Sequence, residues 1–296
     1  MSNSAQAVKD KLRNISKEKN VDFNSVMRFY MYDRFVERLS KSKYKDNFIL
    51  KGGFYLSKLF GLDNRSTMDI DTAIRKTKFT EENIIKMITE IINKDVDDNV
   101  KFGIKKTEPI RDEDEYGGLR ITINFTLENM RDSFHIDIAT GDPIHPGPDD
   151  YKYESLIGNE VYKVWSYNLE TVLAEKIETI LSKLEASGRM KDYYDIYLIH
   201  KFKFNKINKT KFRGAVEKTF KKREFNADLG ANLNVVKNSK ILRDKWTSYS
   251  RKNSYARNLE FDETIKCLEE FINIIVPVAV WNKIHFRYHL GTNRPD

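Results

Sequence analysis

A change of periodicity near residue 165 constrains the fold of this chain more than any other feature. Before it, two-residue alternation and 3.6-residue periodicity take turns; from Asn168 onward almost every segment is helical in pattern. Asp22 is placed to cap a buried helix running to Leu39, and Asn47-Phe48-Ile49-Leu50 reads as a short strand. Gly52-Gly53 follows, and a helical pattern from Phe54 to Phe60 stops at Gly61. Ser66 to Ile74 alternates as a strand. Thr80 caps a helix with Ile84, Ile85, Ile88, Ile91 and Ile92 on one face. Val100–Lys106, Leu119–Leu127 and Ser133–Thr140 read as strands, the last two joined by a polar turn at Glu128-Asn129. Beyond 168, Asp262 is read as capping a helix that Pro277 stops. The pattern predicts an α+β chain: a mixed sheet flanked by helices over residues 1–166, then a helical domain over 167–296. Residues 1–21 read as an arm or surface helix.

Charge narrows the function classes. The chain carries 52 Lys and Arg against 44 Asp and Glu, a net of +8. Between Lys201 and Arg257 there are 17 basic and 4 acidic residues, so the rest of the chain is acidic on balance. A basic segment on an acidic body suits a polyanion partner, and a solvated helical surface is the plainer alternative. One cysteine, Cys267, excludes a disulfide framework and a Cys-rich zinc site. The first residues lack an apolar core of signal-peptide length. The longest apolar stretch, Phe271 to Trp281, is too short to span a bilayer, so a cytoplasmic protein is expected.

The acids of the first region carry the chemistry. In Asp69-Ile70-Asp71 a period of two puts both carboxylates on one face, and a divalent metal is the usual reason to tolerate them there. In Phe134-His135-Ile136-Asp137-Ile138 the apolar residues share one face and His135 and Asp137 the other. Asp137 reads either as a third metal ligand or as the cross-strand partner of Arg120 or Arg131. Whether His135 or Asp142 joins them is open. A strand, Gly52-Gly53 and a helix form a turn through which backbone can approach a phosphate. Lys176 sits on the apolar stripe of its helix, where it either snorkels outward or reaches an interior anion. Asp192 and Asp195 share a helix face, and Lys191–Asp195 is an alternative surface pair.

These motifs occur in order: Phe48-Ile49-Leu50-Lys51-Gly52-Gly53, Arg65-Ser66-Thr67-Met68-Asp69-Ile70-Asp71, Ile136-Asp137-Ile138-Ala139-Thr140-Gly141-Asp142, Ala174-Glu175-Lys176, and Arg189-Met190-Lys191-Asp192-Tyr193-Tyr194-Asp195-Ile196. Together they resemble the AbiEii family, the nucleotidyltransferase toxins of type IV toxin–antitoxin (abortive infection) systems. The resemblance implies a polymerase-β-like nucleotidyltransferase fold. It implies Gly52, Gly53, Asp69 and Asp71 as the nucleotide and metal motif, with Lys176 and Asp192 as further active-site residues. Arg65, Lys191 and Asp195 are expected beside the nucleotide. The family is associated with GTP binding and, in some members, with adding nucleotides to the 3′ end of tRNA. The fifteen residues between Gly53 and Asp69 exceed the short spacer of the wider superfamily.

The expected activity is therefore transfer of a nucleoside monophosphate from GTP or a pyrimidine triphosphate to RNA, with tRNA as the expected acceptor. Mg2+ or Mn2+ would sit on Asp69 and Asp71, with Asp137 on a second ion. A cognate antitoxin is an expected partner. Two alternatives stay open: transfer to a small molecule or a protein side chain, and a GTP-binding module without turnover. His285 and His289, four apart, find no third ligand in the sequence.

Overall fold

The computed structural model describes residues 4–110 and 117–275. The acidic loop Asp112–Glu115, Pro277, His285 and His289 lie outside the described residues. The chain divides into two compact units. Of the described residues, the first holds 4–110, 117–142 and 147–168, and the second holds 143–146 and 169–275.

In the first unit, α1 (Ala5–Lys19) and α2 (Phe23–Ser40) come before the sheet. Of the two readings of the N-terminus, the helix holds: it runs fifteen residues, is capped by Ser4 and buries Ala5, Val8 and Leu12. Its sparse apolar residues fall on one stripe, which is enough to dock it. Asp22 caps α2 through the Ser25 amide. This helix is buried around most of its circumference, so its charged residues must be paired. Arg38 forks onto Asp98 at 2.6 and 2.8 Å. Asp33 accepts from Lys58 at 3.1 Å, from the Tyr153 hydroxyl at 2.6 Å and from the Leu156 amide.

The sheet comprises β1 (Phe48–Leu50), β2 (Asp69–Ile74), β3 (Lys101–Ile110), β4 (Gly118–Leu127), β5 (Met130–Ala139), β6 (Asp149–Glu154) and β7 (Val161–Ser166). Its order is β3-β4-β5-β2-β1-β7-β6. β2 runs parallel to β5 and β1 parallel to β7, while the other pairs are antiparallel. The sheet is therefore mixed, as the alternation predicts. The β6–β7 hairpin was not singled out in the sequence, although Tyr151, Tyr153, Tyr162 and Val164 alternate along it. Helices α3 (Gly52–Phe60) and α4 (Glu81–Ile92) complete the unit. On α4 it is Met87, not Ile85, that joins Ile84, Ile88, Ile91 and Ile92 in the core.

The second unit is helical: α5 (Leu169–Lys183), α6 (Met190–Lys203), α7 (Lys209–Lys222), α8 (Leu229–Asn238), α9 (Lys240–Lys252) and α10 (Phe261–Ile275). Asp262, expected as a cap, lies inside the first turn of α10, where an acid complements the helix dipole. Cys267 is buried. Among the described residues, no helix is long and apolar enough to cross a membrane.

Candidate active site

Register assembles the acidic face. In the parallel β2–β5 pair, Asp69 lies opposite His135 and Asp71 opposite Asp137. In the antiparallel β4–β5 pair, Arg120 lies opposite Asp137 and Thr122 opposite His135. Two cross-strand rows result: Arg120–Asp137–Asp71 and Thr122–His135–Asp69. Ile70, Ile121, Ile136 and Ile138 point to the other face, where all are buried in the core. Period two sets the face within each strand, and the β2–β5 register brings Asp69, Asp71 and Asp137 together on one face.

Each acid has a different environment. Burial raises the Asp69 carboxyl above the usual carboxylate range, and the charges of Asp137 and Asp71 add to the rise. Asp71 Oδ2 accepts from the Gly53 amide at 3.0 Å, and the Asp71 carbonyl accepts from the Lys51 amide at 3.0 Å. Asp137, expected on a second metal ion, gives both oxygens to Arg120: Nε and Nη2 each donate at 2.7 Å. His135 Nδ1 lies 3.0 Å from the Thr122 hydroxyl, and Asp142 pairs with Lys51 at 3.1 Å.

The glycine pair is pressed against these groups. Gly52 has φ 58°, and a Cβ there would lie 2.7 Å from Asp71 Oδ2. A Cβ on Gly53 would lie 2.9 Å from Arg65 Nη2. The space the glycines clear is filled by Asp71 and Arg65, and one helix-start amide is already committed to Asp71. Arg65 is buried and donates Nη1 to the Ser66 carbonyl. The Tyr32 hydroxyl, from inside the core, donates to the Met68 carbonyl at 2.7 Å and so anchors the start of β2.

The donor set suits a hard divalent cation. Mg2+ is commonly held by one or two carboxylates, with water and substrate phosphates completing the shell. Asp69 and Asp71 supply two such groups on one strand face. Among the described residues, no group of three or more His, Cys, Asp or Glu side chains is arranged to hold a metal ion.

In the second unit, α5 buries Lys176 between two acids of α6. Its ammonium lies 2.6 Å from Asp192 Oδ1 and 2.8 Å from Asp195 Oδ2. Of the two readings, the interior anion holds. Burial opposes the charge of Lys176, but the two carboxylates outweigh it and raise its pKa. Burial likewise works against Asp192, yet Lys176 and then Arg189 hold its carboxyl down at about 2. Arg189 Nε donates to Asp192 Oδ2 at 2.8 Å. Asp195 is spent on Lys176, so the alternative surface pair with Lys191 is not formed, and Lys191 is exposed. Sequence reasoning missed Arg189, although it stands three residues before Asp192, a spacing that pairs charges at a helix start. It also missed Lys51, which flanks the glycines.

An acid pair on a strand of a mixed sheet, beside a strand–Gly-Gly–helix turn, is the arrangement expected of a nucleotidyltransferase. The AbiEii family, described as nucleotidyl transferase toxins of type IV toxin–antitoxin systems, matches residues 34–267, and the chain belongs to it. Membership implies a nucleotide substrate and an antitoxin partner. Two solved structures from Helicobacter pylori are similar. JHP933 shares 14% identity at a TM-score of 0.49, over 88% of this chain and 94% of that one. A protein described as a candidate nucleotidyltransferase shares 14% at 0.47, over 86% of this chain and 96% of that one. No curated protein matches the sequence.

Proposed function

We propose that this chain transfers a nucleoside monophosphate from a nucleoside triphosphate, GTP or a pyrimidine nucleotide, to the 3′ end of an RNA, with tRNA as acceptor. The acceptor hydroxyl oxygen attacks the α-phosphorus, its proton departs, and the bond to pyrophosphate breaks. Asp69 and Asp71 would hold Mg2+ or Mn2+, which when bound supplies charge neutralisation for the displacement. The observation that carries the reading is the Asp69–Asp71 pair on one face of β2, where burial, and then the charges of Asp137 and Asp71, raise the Asp69 carboxyl.

The chain's own residues do the rest. Gly52 lets backbone come close to Asp71 and Gly53 makes room for Arg65, while the Gly53 amide fixes one Asp71 oxygen. Lys176, held rigid and buried by Asp192 and Asp195, and Asp192, which positions it, are kept as active-site residues on the second unit. Lys191, exposed on α6, is free to meet a phosphate. RNA would be held by the second unit's cations: Lys209, Lys211, Lys218 and Lys221 of α7, with Arg251, Lys252 and Arg257 after them, are exposed. This favours RNA over a small acceptor, which needs no extended cationic surface. Such a reaction belongs in the cytoplasm, where nucleotide, RNA and antitoxin are found.

The test is incubation with each labelled triphosphate and total RNA. Label should enter RNA with one preferred nucleotide, and Asp69→Ala and Asp71→Ala should each abolish incorporation. Undiminished transfer by either variant overturns the assignment.

A further inference from the structure

Asp137 is bound in a way that leaves Arg120 half used. A guanidinium has two faces for fork-like recognition, and Arg120 spends its Nε–Nη2 edge on both oxygens of Asp137. Nη1 has no hydrogen-bond partner among the described residues, and the side chain is 39% exposed. The neighbours do not compete for it. Glu108, opposite Arg120 on β3, is paired with Lys106 at 2.6 Å, and His135 is bonded to Thr122. Arg120 lies in one cross-strand row with Asp137 and Asp71, so the guanidinium borders the acidic face without closing on its other two acids.

A planar cation fixed by a carboxylate, with its outer edge open at a site for a polyphosphate, suits phosphate oxygens. We propose that Arg120 binds the triphosphate through its Nη1 edge, and that Asp137 is the positioning residue that aims it and not a metal ligand. This rests on the nucleotidyltransferase reading. It also gives a charge balance: the acids Asp69, Asp71 and Asp137 are offset by Arg120 and one divalent ion, so the triphosphate enters a neutral site.

The test separates the two roles of Asp137. Mn2+ is titrated by EPR without nucleotide into the wild type, Asp137→Asn and Asp69→Asn. Binding of a non-hydrolysable triphosphate in Ca2+ is then measured for Asp137→Asn, Arg120→Lys, Arg120→Ala and the Arg120→Ala/Asp137→Asn double variant. Asp69→Asn should weaken Mn2+ binding and Asp137→Asn should leave it unchanged. Each single change at 120 or 137 should weaken triphosphate binding by about tenfold to a hundredfold, and the double variant should be no worse than Arg120→Ala. Loss of Mn2+ affinity in Asp137→Asn as large as in Asp69→Asn overturns the proposal. If Asp69→Asn leaves Mn2+ binding intact, the underlying metal reading fails instead. In the wild type, inorganic tripolyphosphate with Ca2+ should shield Arg120 from phenylglyoxal, read by peptide mass spectrometry. Unchanged labelling of Arg120 under saturating tripolyphosphate also overturns it, without depending on any variant's folding.

Discussion

At the scale of single residues, the α6 acids show how burial and pairing oppose each other. Asp192 is fully buried, which by itself raises its pKa; Lys176 and Arg189 reverse the balance and hold it at about 2 against an ordinary 3.8. Because the folded pKa is lowered, the stabilisation is complete above pH 3.8 and drains away as pH falls toward 2. The difference corresponds to roughly 2 kcal/mol. Urea midpoints should therefore place Asp192→Asn below the wild type at pH 6, with the gap narrowing steadily from pH 4 to pH 2.5. A gap of constant size over that range contradicts the assignment. Arg120 shows what was legible and what was not. The turn at Glu128-Asn129 joins Leu127 to Met130, and counting back along the hairpin brings Arg120 opposite Asp137 and leaves Arg131 opposite Thr126. The choice between the two arginines was present in the sequence, in the turn more than in the charges.

At the scale of elements, α1 exposes the limit of reading polarity alone. Its lysines suggest a loose arm or a surface helix, yet Val8 and Leu12 fall one turn apart and dock the helix on the core. Leu12 is fully buried. Leu12→Ala should cost about 2–5 kcal/mol, measured by equilibrium urea unfolding, whereas a surface arm would lose nothing. The strand faces at Asp69–Asp71 and Phe134–Ile138 were legible because alternation needs only local geometry. The β6–β7 hairpin was passed over because its tyrosines and charges alternate less sharply than isoleucines do.

At the scale of the whole molecule, charge is partitioned between two units. Part of the 201–257 excess is spent within the second unit: Arg223 pairs with Glu178 at 2.7 Å, and Lys245 donates to the Glu185 and Ser187 carbonyls at 2.6 and 3.0 Å. The exposed lysines of α7 remain for a polyanion. RNA affinity should fall steeply with salt. Lys218→Glu with Lys221→Glu should lower the log–log salt slope by about one to two, in filter-binding titrations between low and physiological salt. A slope unchanged by both substitutions would remove α7 from the RNA surface.

By itself, the sequence determined which residues share a face, because side-chain direction in strands and helices follows from backbone periodicity. It also set the β4–β5 register through a two-residue turn. Only tertiary structure decided that Asp71 would lie beside Asp137, since β2 and β5 pair in parallel across a long stretch of chain that no turn constrains. The same holds for Lys176, whose choice of interior over solvent was made by the packing of α5 on α6. There two buried carboxylates made the interior the better place for a positive charge.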